Sequence, residues 1–184
     1  MDAFRRLAIV SSHLTSPPTL STTMSHSLCG SKDLLKDCVF CRIGRGESPA
    51  IKLYEDDLCY CILDRYPVSD GHSLLIPKEH FSCFEQTPPS IIAAMCSKVP
   101  LISNAIVKAT GADSFNVLVN NGAAAGQVVF HTHIHIIPRK SRDCLWTTES
   151  LRKRPLNFDT HATKLADSVR KQLCEIPADE KEIS

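Results

Sequence analysis

The chain has 184 residues, of which 43% are hydrophobic and 22% charged, a balance typical of one compact globular domain with tails. Its formal net charge of +1 gives no reason to expect a nucleic-acid polymer as partner, although a single nucleotide stays open. No apolar run approaches the ~20 residues that a membrane-spanning helix needs, so we expect no membrane partner.

Residues 1–30 are rich in Ser, Thr and Pro, which predicts a targeting or disordered extension. Within it, RLAIVSSHL at 6–14 matches the nonapeptide of a type 2 peroxisomal targeting signal, which predicts an import receptor as partner and the peroxisome as location. Arg6 and His13 are about two helical turns apart, so one helix face would present both. The composition also fits a mitochondrial or plastid transit peptide, and initiation at Met24 would give a cytosolic form.

The predicted folded domain covers residues 31–142 and combines short strands with one long helix. A first helix is expected to start near Ser31, and the longest helical pattern covers 89–109. Strands are predicted as a pair within 51–64, then at 72–77, 114–120 and 131–138. The short connections predict an α+β domain with an antiparallel sheet of about five strands. Residues 143–184 are predicted to form a C-terminal extension with an amphipathic helix at 160–175.

The stretch GQVVFHTHIHIIP places histidines at alternate positions of a predicted strand: His131, His133 and His135. Alternate residues of a strand face the same side, so the imidazoles are expected to line one face. Three interpretations are open, namely histidines without chemistry, ligands of a catalytic metal ion, or nucleophilic catalysis by an imidazole. The preceding Gly122, Gly126 and Gln127 favour the third, because glycines let backbone N–H groups approach an anion and Gln127 adds an amide donor.

HTHIHII at 131–137 matches the pattern His-φ-His-φ-His-φ-φ, with φ apolar, except at Thr132. It resembles the signature of the histidine triad (HIT) superfamily of nucleotide hydrolases and transferases. Two further blocks in the family's order, CVFCRIGRGESPA and ILDRYPVSDGHSLLIPKEH, extend the resemblance over about residues 38–140. The resemblance implies a HIT-like fold and a homodimer.

The resemblance also implies a Hint-like nucleotide hydrolase that releases AMP from adenosine 5′-phosphoramidate or adenylyl sulfate. His135 stands where the transferase branch carries glutamine, which favours water as acceptor. A dinucleoside polyphosphate hydrolase is the enzymatic alternative, and the basic tract at 151–155 favours it. A non-catalytic nucleotide-binding scaffold is the alternative of another class.

Roles for individual residues follow from the same resemblance. His133 would attack the α-phosphorus and form a covalent nucleotidyl-histidine, His131 would orient it, and His135 would help to bind the phosphate. The substrate-binding positions implied are His72, Asn120, Gly126 and Gln127 around the phosphate, Asp64 at the ribose hydroxyls, and Phe40, Ile43 and Ile62 along the base.

Cys38 and Cys41 form a C-x-x-C pair, which alone is compatible with zinc or with redox chemistry. In bacterial-type and transferase relatives, a matching pair joins a downstream histidine and the first triad histidine around zinc. The resemblance therefore implies a Zn²⁺ site formed by Cys38, Cys41, His80 and His131. Such a Cys₂His₂ set is closed and tetrahedral, which implies a structural zinc that holds the first triad histidine in place.

Overall fold

The structure, a computed structural model, describes residues 38–146, 156 and 159–175. The chain divides into two compact units, Met1–Ser141 and Arg142–Ser184. The predicted targeting nonapeptide at 6–14, the expected helix start at Ser31 and the basic tract at 151–155 lie outside the described residues.

The first unit is an antiparallel sheet with helices. Its helices are α1 (Val39–Gly44) and α2 (Pro89–Thr110). Its strands are β1 (Lys52–Glu55), β2 (Cys59–Leu63), β3 (Ser73–Pro77), β4 (Ser114–Leu118) and β5 (Ile134–Arg139). The strands lie in the order β1-β2-β3-β5-β4, and each neighbouring pair is antiparallel. The predicted α+β class and five-stranded antiparallel sheet are confirmed.

The alternation of side chains along the strands produces two apolar layers. One layer packs strand residues against α2 and consists of Cys59, Cys61, Leu75, Met95, Ile102, Ile106, Ile134 and Ile136. The other lies on the opposite face with α1 and consists of Phe40, Ile43, Tyr60, Ile62, Leu74 and Ile76. Because Ile134 and Ile136 point towards α2, His135 between them points to the α1 face.

Helix α1 is anchored on the sheet by a buried polar contact. The hydroxyl of Tyr60, which is fully buried, donates to the carbonyl of Phe40 at 2.7 Å. Phe40 and Ile43 pack in the same apolar layer. This contact places the Cys38–Cys41 end of the helix beside the segment that precedes β5.

The turn into β3 requires a glycine. Gly71 has φ +80°, and a Cβ there would lie 2.6 Å from Cγ2 of Thr110 on α2. A larger residue would therefore be strained and would also collide with the helix. The turn delivers His72 directly before β3, with its side chain buried.

Helix α2 is long and apolar enough to cross a membrane, judged by length and composition alone. Its Met95, Ile102 and Ile106 pack in the apolar layer against the sheet. This is the arrangement of a core helix. Its opposite side leaves Leu101 63% exposed.

The predicted strand at 131–138 begins later than expected. β5 starts at Ile134, which pairs with Leu75 of β3, so His131 and His133 precede the strand. The physical reason is that the N–H of Thr132 donates to the carbonyl of Phe81 at 2.7 Å rather than to a neighbouring strand. Of the three histidines, only His135 therefore owes the direction of its side chain to the alternation of a strand.

The second unit contains α3 (Thr160–Glu175), which confirms the predicted helix. Its first turn is capped by Asp159, whose Oδ1 accepts the N–H groups of His161 and Ala162 at 3.0 and 2.9 Å. Its apolar stripe is exposed and consists of Leu165, Val169 and Leu173.

Candidate active site

The three histidines of the HTHIHII stretch lie side by side although only the last is in a strand. His131 is fully buried and His133 is 7% exposed. The ring centroids of His133 and His135 are 4.9 Å apart. Phe40 of α1 packs edge-on against His131 and His133, with centroid distances of 5.8 and 5.2 Å. The predicted triad is thus a contiguous row of imidazoles beneath α1.

The tautomer of His133 follows from its backbone contact. Its Nδ1 lies 2.6 Å from the carbonyl oxygen of His131, which accepts only. Burial lowers the pKa of His133, although the contact with His131 and the charge of Asp64 act in the opposite direction. A neutral ring then carries its proton on Nδ1, and Nε2 keeps a lone pair that is available for nucleophilic attack.

His135 is hydrogen-bonded to His72, and the carboxylate of Asp64 lies near His72. Nε2 of His72 is 3.0 Å from Nδ1 of His135 and 3.6 Å from Oδ2 of Asp64. The N–H of Val68 donates to Nδ1 of His72 at 3.3 Å, so a neutral His72 carries its proton on Nε2. His72 therefore donates to His135, which leaves the proton of His135 on Nε2. That nitrogen is 3.4 Å from Nδ2 of Asn120; both atoms are donors in this assignment, so they do not bond to each other and both can serve an acceptor.

The same contacts argue against a metal ion between Asp64, His72 and His135, although their ligand atoms lie within 4.8 Å of one another. A metal ion on Nε2 of His72 would move the ring proton to Nδ1. There it would face the N–H of Val68, so two donors would meet. His72 and His135 therefore form a hydrogen-bonded pair, beside which the carboxylate of Asp64 lies.

Burial keeps the histidines of the row neutral. It lowers the pKa of His131 to about 4 and, with the neighbouring His133 and His72, that of His135 to about 3. Burial also lowers the pKa of His72, against the opposing charge of Asp64. At neutral pH the site therefore presents uncharged imidazoles, which act as nucleophile and hydrogen-bond donors without repelling one another.

The predicted zinc ligands converge at the other end of the row. Nδ1 of His131 lies 3.4 Å from Sγ of Cys38, 3.5 Å from Sγ of Cys41 and 3.2 Å from Nδ1 of His80. A tetrahedral zinc with ordinary bond lengths separates its S and N ligands by about 3.3–3.6 Å, so the donor set fits zinc. Nε2–H of His131 donates to the carbonyl of Pro77 at 2.9 Å, which directs the lone pair of Nδ1 into the cluster.

The loop between β4 and β5 is braced by Gln127. Its Oε1 accepts the N–H of Gly122 at 2.7 Å, and its Nε2 donates to the carbonyls of Ser82 and Val129 at 2.8 and 3.2 Å. The structure thus directs this amide to the backbone rather than to the phosphate position that the resemblance implies. Gly126 takes the left-handed conformation that ends the short helical turn. Asn120 is the amide that lies beside the triad.

The residues predicted to line the base are buried between α1 and the sheet. Ile43 and Ile62 are 6% and 4% exposed and pack in one apolar layer with Phe40. Phe40 is the member that contacts the triad rings. The three residues are therefore together, and contact with a base stays a prediction for each.

A separate groove of about 510 Å³ lies along α2, and the triad does not line it. Its walls include Leu53, Leu63, Leu101, Ala105 and Ala109. Its lining is mostly apolar and contains no histidine, so the candidate active site is the imidazole row rather than this groove.

Several groups that orient the site histidines belong to the backbone and were not predicted from the sequence. They are the N–H of Val68 and the carbonyls of Pro77, Phe81 and His131. Their roles depend on geometry rather than on residue type. The Thr132 side chain was a readable signal, since it is a polar residue at an apolar position of the motif.

Comparison with known proteins shows the class to which this fold and site belong. A family profile described as the HIT domain matches residues 45–142. Adenylylsulfatase HINT3 of Arabidopsis thaliana is 61% identical over 189 residues, which cover 96% of each chain. The chain therefore belongs to the HIT family, as the resemblance implied.

Two further relatives extend the comparison. Adenosine 5′-monophosphoramidase hnt1 of Schizosaccharomyces pombe is 41% identical over 58% of this chain and 77% of its own. A zinc-bound histidine triad family protein from Mycobacterium smegmatis matches the fold with a TM-score of 0.58 and 40% identity, over 66% of this chain and 85% of its own.

Proposed function

We propose that this protein is a hydrolase that releases AMP from adenylyl sulfate or adenosine 5′-phosphoramidate through a nucleotidyl-histidine at His133. The observation that carries the proposal is the 2.6 Å contact from Nδ1 of His133 to the carbonyl of His131, which leaves Nε2 as the nucleophile. The adenylylsulfatase and phosphoramidase names of two relatives support the substrate class.

In the first step, the lone pair on Nε2 of His133 attacks the α-phosphorus, and the bond from phosphorus to sulfate or to the amine breaks with its electron pair. An amine leaving group takes up a proton from solvent, whereas sulfate leaves as an anion. In the second step, water attacks the same phosphorus, the P–N bond to His133 breaks, and AMP and one proton are released. Two substitutions replace one slower substitution.

The hydrogen-bonded pair of His72 and His135 acts on the phosphate. His135 carries its proton on Nε2, the nitrogen beside Asn120, and offers it to a phosphate oxygen. Donors aimed at the charge that develops on a reacting group typically contribute about 3–4 kcal/mol each. In the resting site, Asp64 stands against His72, and we propose that its carboxylate also holds the ribose hydroxyls.

A substrate panel tests the proposed function. The purified protein is assayed for AMP release from adenylyl sulfate, adenosine 5′-phosphoramidate and a diadenosine polyphosphate, with His161→Ala on the exposed face of α3 as matched control. Turnover of either of the first two substrates, unchanged in the control, supports the proposal. Preference for the dinucleotide selects the polyphosphate hydrolase, and nucleotide binding without turnover selects the scaffold.

We also propose that Cys38, Cys41, His80 and His131 hold a structural Zn²⁺. The donor separations of 3.2–3.5 Å support it, as does the zinc-bound relative. A bound zinc would supply a closed tetrahedral cross-link between α1 and the triad segment. The catalytic steps use the imidazoles alone.

A homodimer is proposed on exposed apolar surface. Strand β4 has β5 as a neighbour on one side and lies at the end of the strand order. Its Phe115 and Val117 are 41% and 49% exposed, and Leu101 of α2 is 63% exposed. A second copy that pairs along β4 and α2 would cover these side chains. Sedimentation equilibrium of the wild type and Phe115→Lys tests this, and a monomeric wild type contradicts it.

For the location, we propose peroxisomal import through residues 6–14, which lie outside the described residues. A reporter fused to residues 1–30 is expected to enter peroxisomes, and His13→Ala in that fusion is expected to leave it in the cytosol. Import into mitochondria or plastids by the unchanged fusion would contradict the peroxisomal proposal.

A further inference from the structure

The proposed nucleophile, His133, lies in a segment that makes no strand pairing among the described residues. β5 begins at Ile134, and its pairings with β3 and β4 start at Ile134 and His135. His133 and the two residues before it therefore have no strand partner within the described part of the chain. Their position has to come from other contacts.

Besides the ring contacts with Phe40, three hydrogen bonds come from residues 77–87, the end of β3 and the segment that follows it. The carbonyl of Pro77 accepts Nε2–H of His131, and the carbonyl of Phe81 accepts the N–H of Thr132. A third contact joins two side chains, since the hydroxyl oxygens of Thr132 and Thr87 are 2.8 Å apart. Residues 77–87 thus hold His131 and Thr132, the two residues directly before the nucleophile, by hydrogen bonds.

The hydroxyl pair is buried and has a defined direction. Thr132 is 2% exposed and Thr87 is 5% exposed. The hydroxyl of Thr87 donates to the carbonyl of Cys83 at 3.0 Å, so its oxygen accepts the proton of Thr132. The order is Thr132 to Thr87 to Cys83, and each buried hydroxyl proton has a partner.

We infer that Thr132 and Thr87 are positioning residues for the imidazole of His133, a role that rests on the proposed nucleophilic function. The hydroxyl contact holds the peptide between His131 and His133. The carbonyl that sets the tautomer of His133 belongs to His131, so a shift of this peptide turns the nucleophile. A small misplacement of a reacting group slows the reaction without weakening substrate binding.

The test is a double-variant cycle with valine, which keeps the branched shape and removes the hydroxyl. Thr132→Val is expected to lower kcat about fivefold with KM within about twofold, and Thr132→Ser is expected to keep kcat. Thr87→Val is expected to lower kcat to a similar extent. It also leaves the buried hydroxyl proton of Thr132 without an acceptor, so the melting temperature of this variant is expected to fall.

The combined Thr87→Val/Thr132→Val variant separates positioning from stability. With no stranded donor, its melting temperature is expected to return close to that of the wild type. Its kcat is expected to stay about fivefold low, equal to that of Thr132→Val rather than the product of both losses. Unchanged kcat in Thr132→Val, or losses that multiply in the combined variant, would overturn the inference.

A second readout does not need catalysis. In ¹⁵N NMR spectra, His133 is expected to give one sharp pair of ring signals in the wild type and in Thr132→Ser, and broadened signals in Thr132→Val. Identical sharp signals in all three would overturn the positioning role. If the wild type releases no AMP from any substrate, the proposed function fails, whereas these spectra still report on the positioning contact.

Discussion

Nδ1 of His133 lies 2.6 Å from the backbone oxygen of His131, so the first triad residue determines the tautomer of the second. We predict that His133 carries its proton on Nδ1 in the resting enzyme. ¹⁵N-detected NMR of ring-labelled histidine checks this, with a protonated-type shift expected at Nδ1 and an unprotonated-type shift at Nε2 near neutral pH. The reverse assignment would leave Nε2 without a free lone pair and would contradict the proposed attack.

Zinc content forms the second prediction. Protein purified without chelators is expected to hold a single zinc per chain, and Cys41→Ser is expected to lose it because a three-ligand remnant binds weakly. The exposed Cys96→Ser on α2 is the matched control and should keep its zinc. Chelation is expected to lower the melting temperature by several degrees, since the ion joins α1 to the triad segment. Retention of zinc by Cys41→Ser would contradict the proposed ligand set.

Asp56 is predicted to stabilise the turn between β1 and β2. Although burial opposes it, the N–H of Cys59, the hydroxyl of Tyr54 and the N–H of Leu58 hold the pKa of the Asp56 carboxyl well below its usual range. Asp56→Ala removes a charged acceptor from these donors and is expected to lower the free energy of unfolding by about 1.5–3 kcal/mol. Urea unfolding measures the loss, and the exposed Asp57→Ala should stay within about 0.5 kcal/mol of the wild type. Equal effects at both positions would contradict this account.

The fourth prediction concerns acid sensitivity. Burial lowers the pKa of His135 to about 3, against an ordinary value of 6.5. As the pH falls below about 6.5, the unfolded chain takes up a proton at this ring that the folded chain excludes, so the folded state loses stability. Between pH 7 and 4.5, the wild type is expected to lose about 2.5 kcal/mol more than His135→Gln.

Urea unfolding at each pH measures that difference. His161→Gln on α3 is the control, because this exposed histidine should leave the pH dependence of the wild type unchanged. Parallel curves for the wild type and His135→Gln would show that His135 titrates normally in the folded protein.

Most of the fold could be predicted from the sequence, because apolar residues alternate along the strands and recur at helical spacing along α2. In β2, the alternation of Cys59 and Cys61 with Tyr60 and Ile62 assigns these side chains to opposite layers. The start of β5 was not readable, since HTHIHIIP alternates throughout while the backbone of Thr132 bonds to Phe81 in a loop far away in sequence. Hydrogen bonds of this kind carry no local pattern.

The site was readable to a similar degree. The triad was predicted from motif spacing and the four zinc donors from the family resemblance, and the structure brings each set together. The orientation of Gln127 was not predictable, because a side-chain amide serves a phosphate or a backbone equally well by composition. Thr132 departs visibly from the apolar motif, but its hydrogen-bond partner was not predictable, since Thr87 lies on another loop.

The central claim, covalent catalysis by His133, is tested most directly by rapid quenching of the enzyme during turnover of an AMP conjugate, followed by peptide mass analysis. The wild type is expected to show the mass of one adenylyl group on the peptide that contains His133. His133→Gly is expected to show no adduct and a loss of turnover of at least about 1,000-fold. An adduct on another residue, or normal turnover by His133→Gly, would contradict the account.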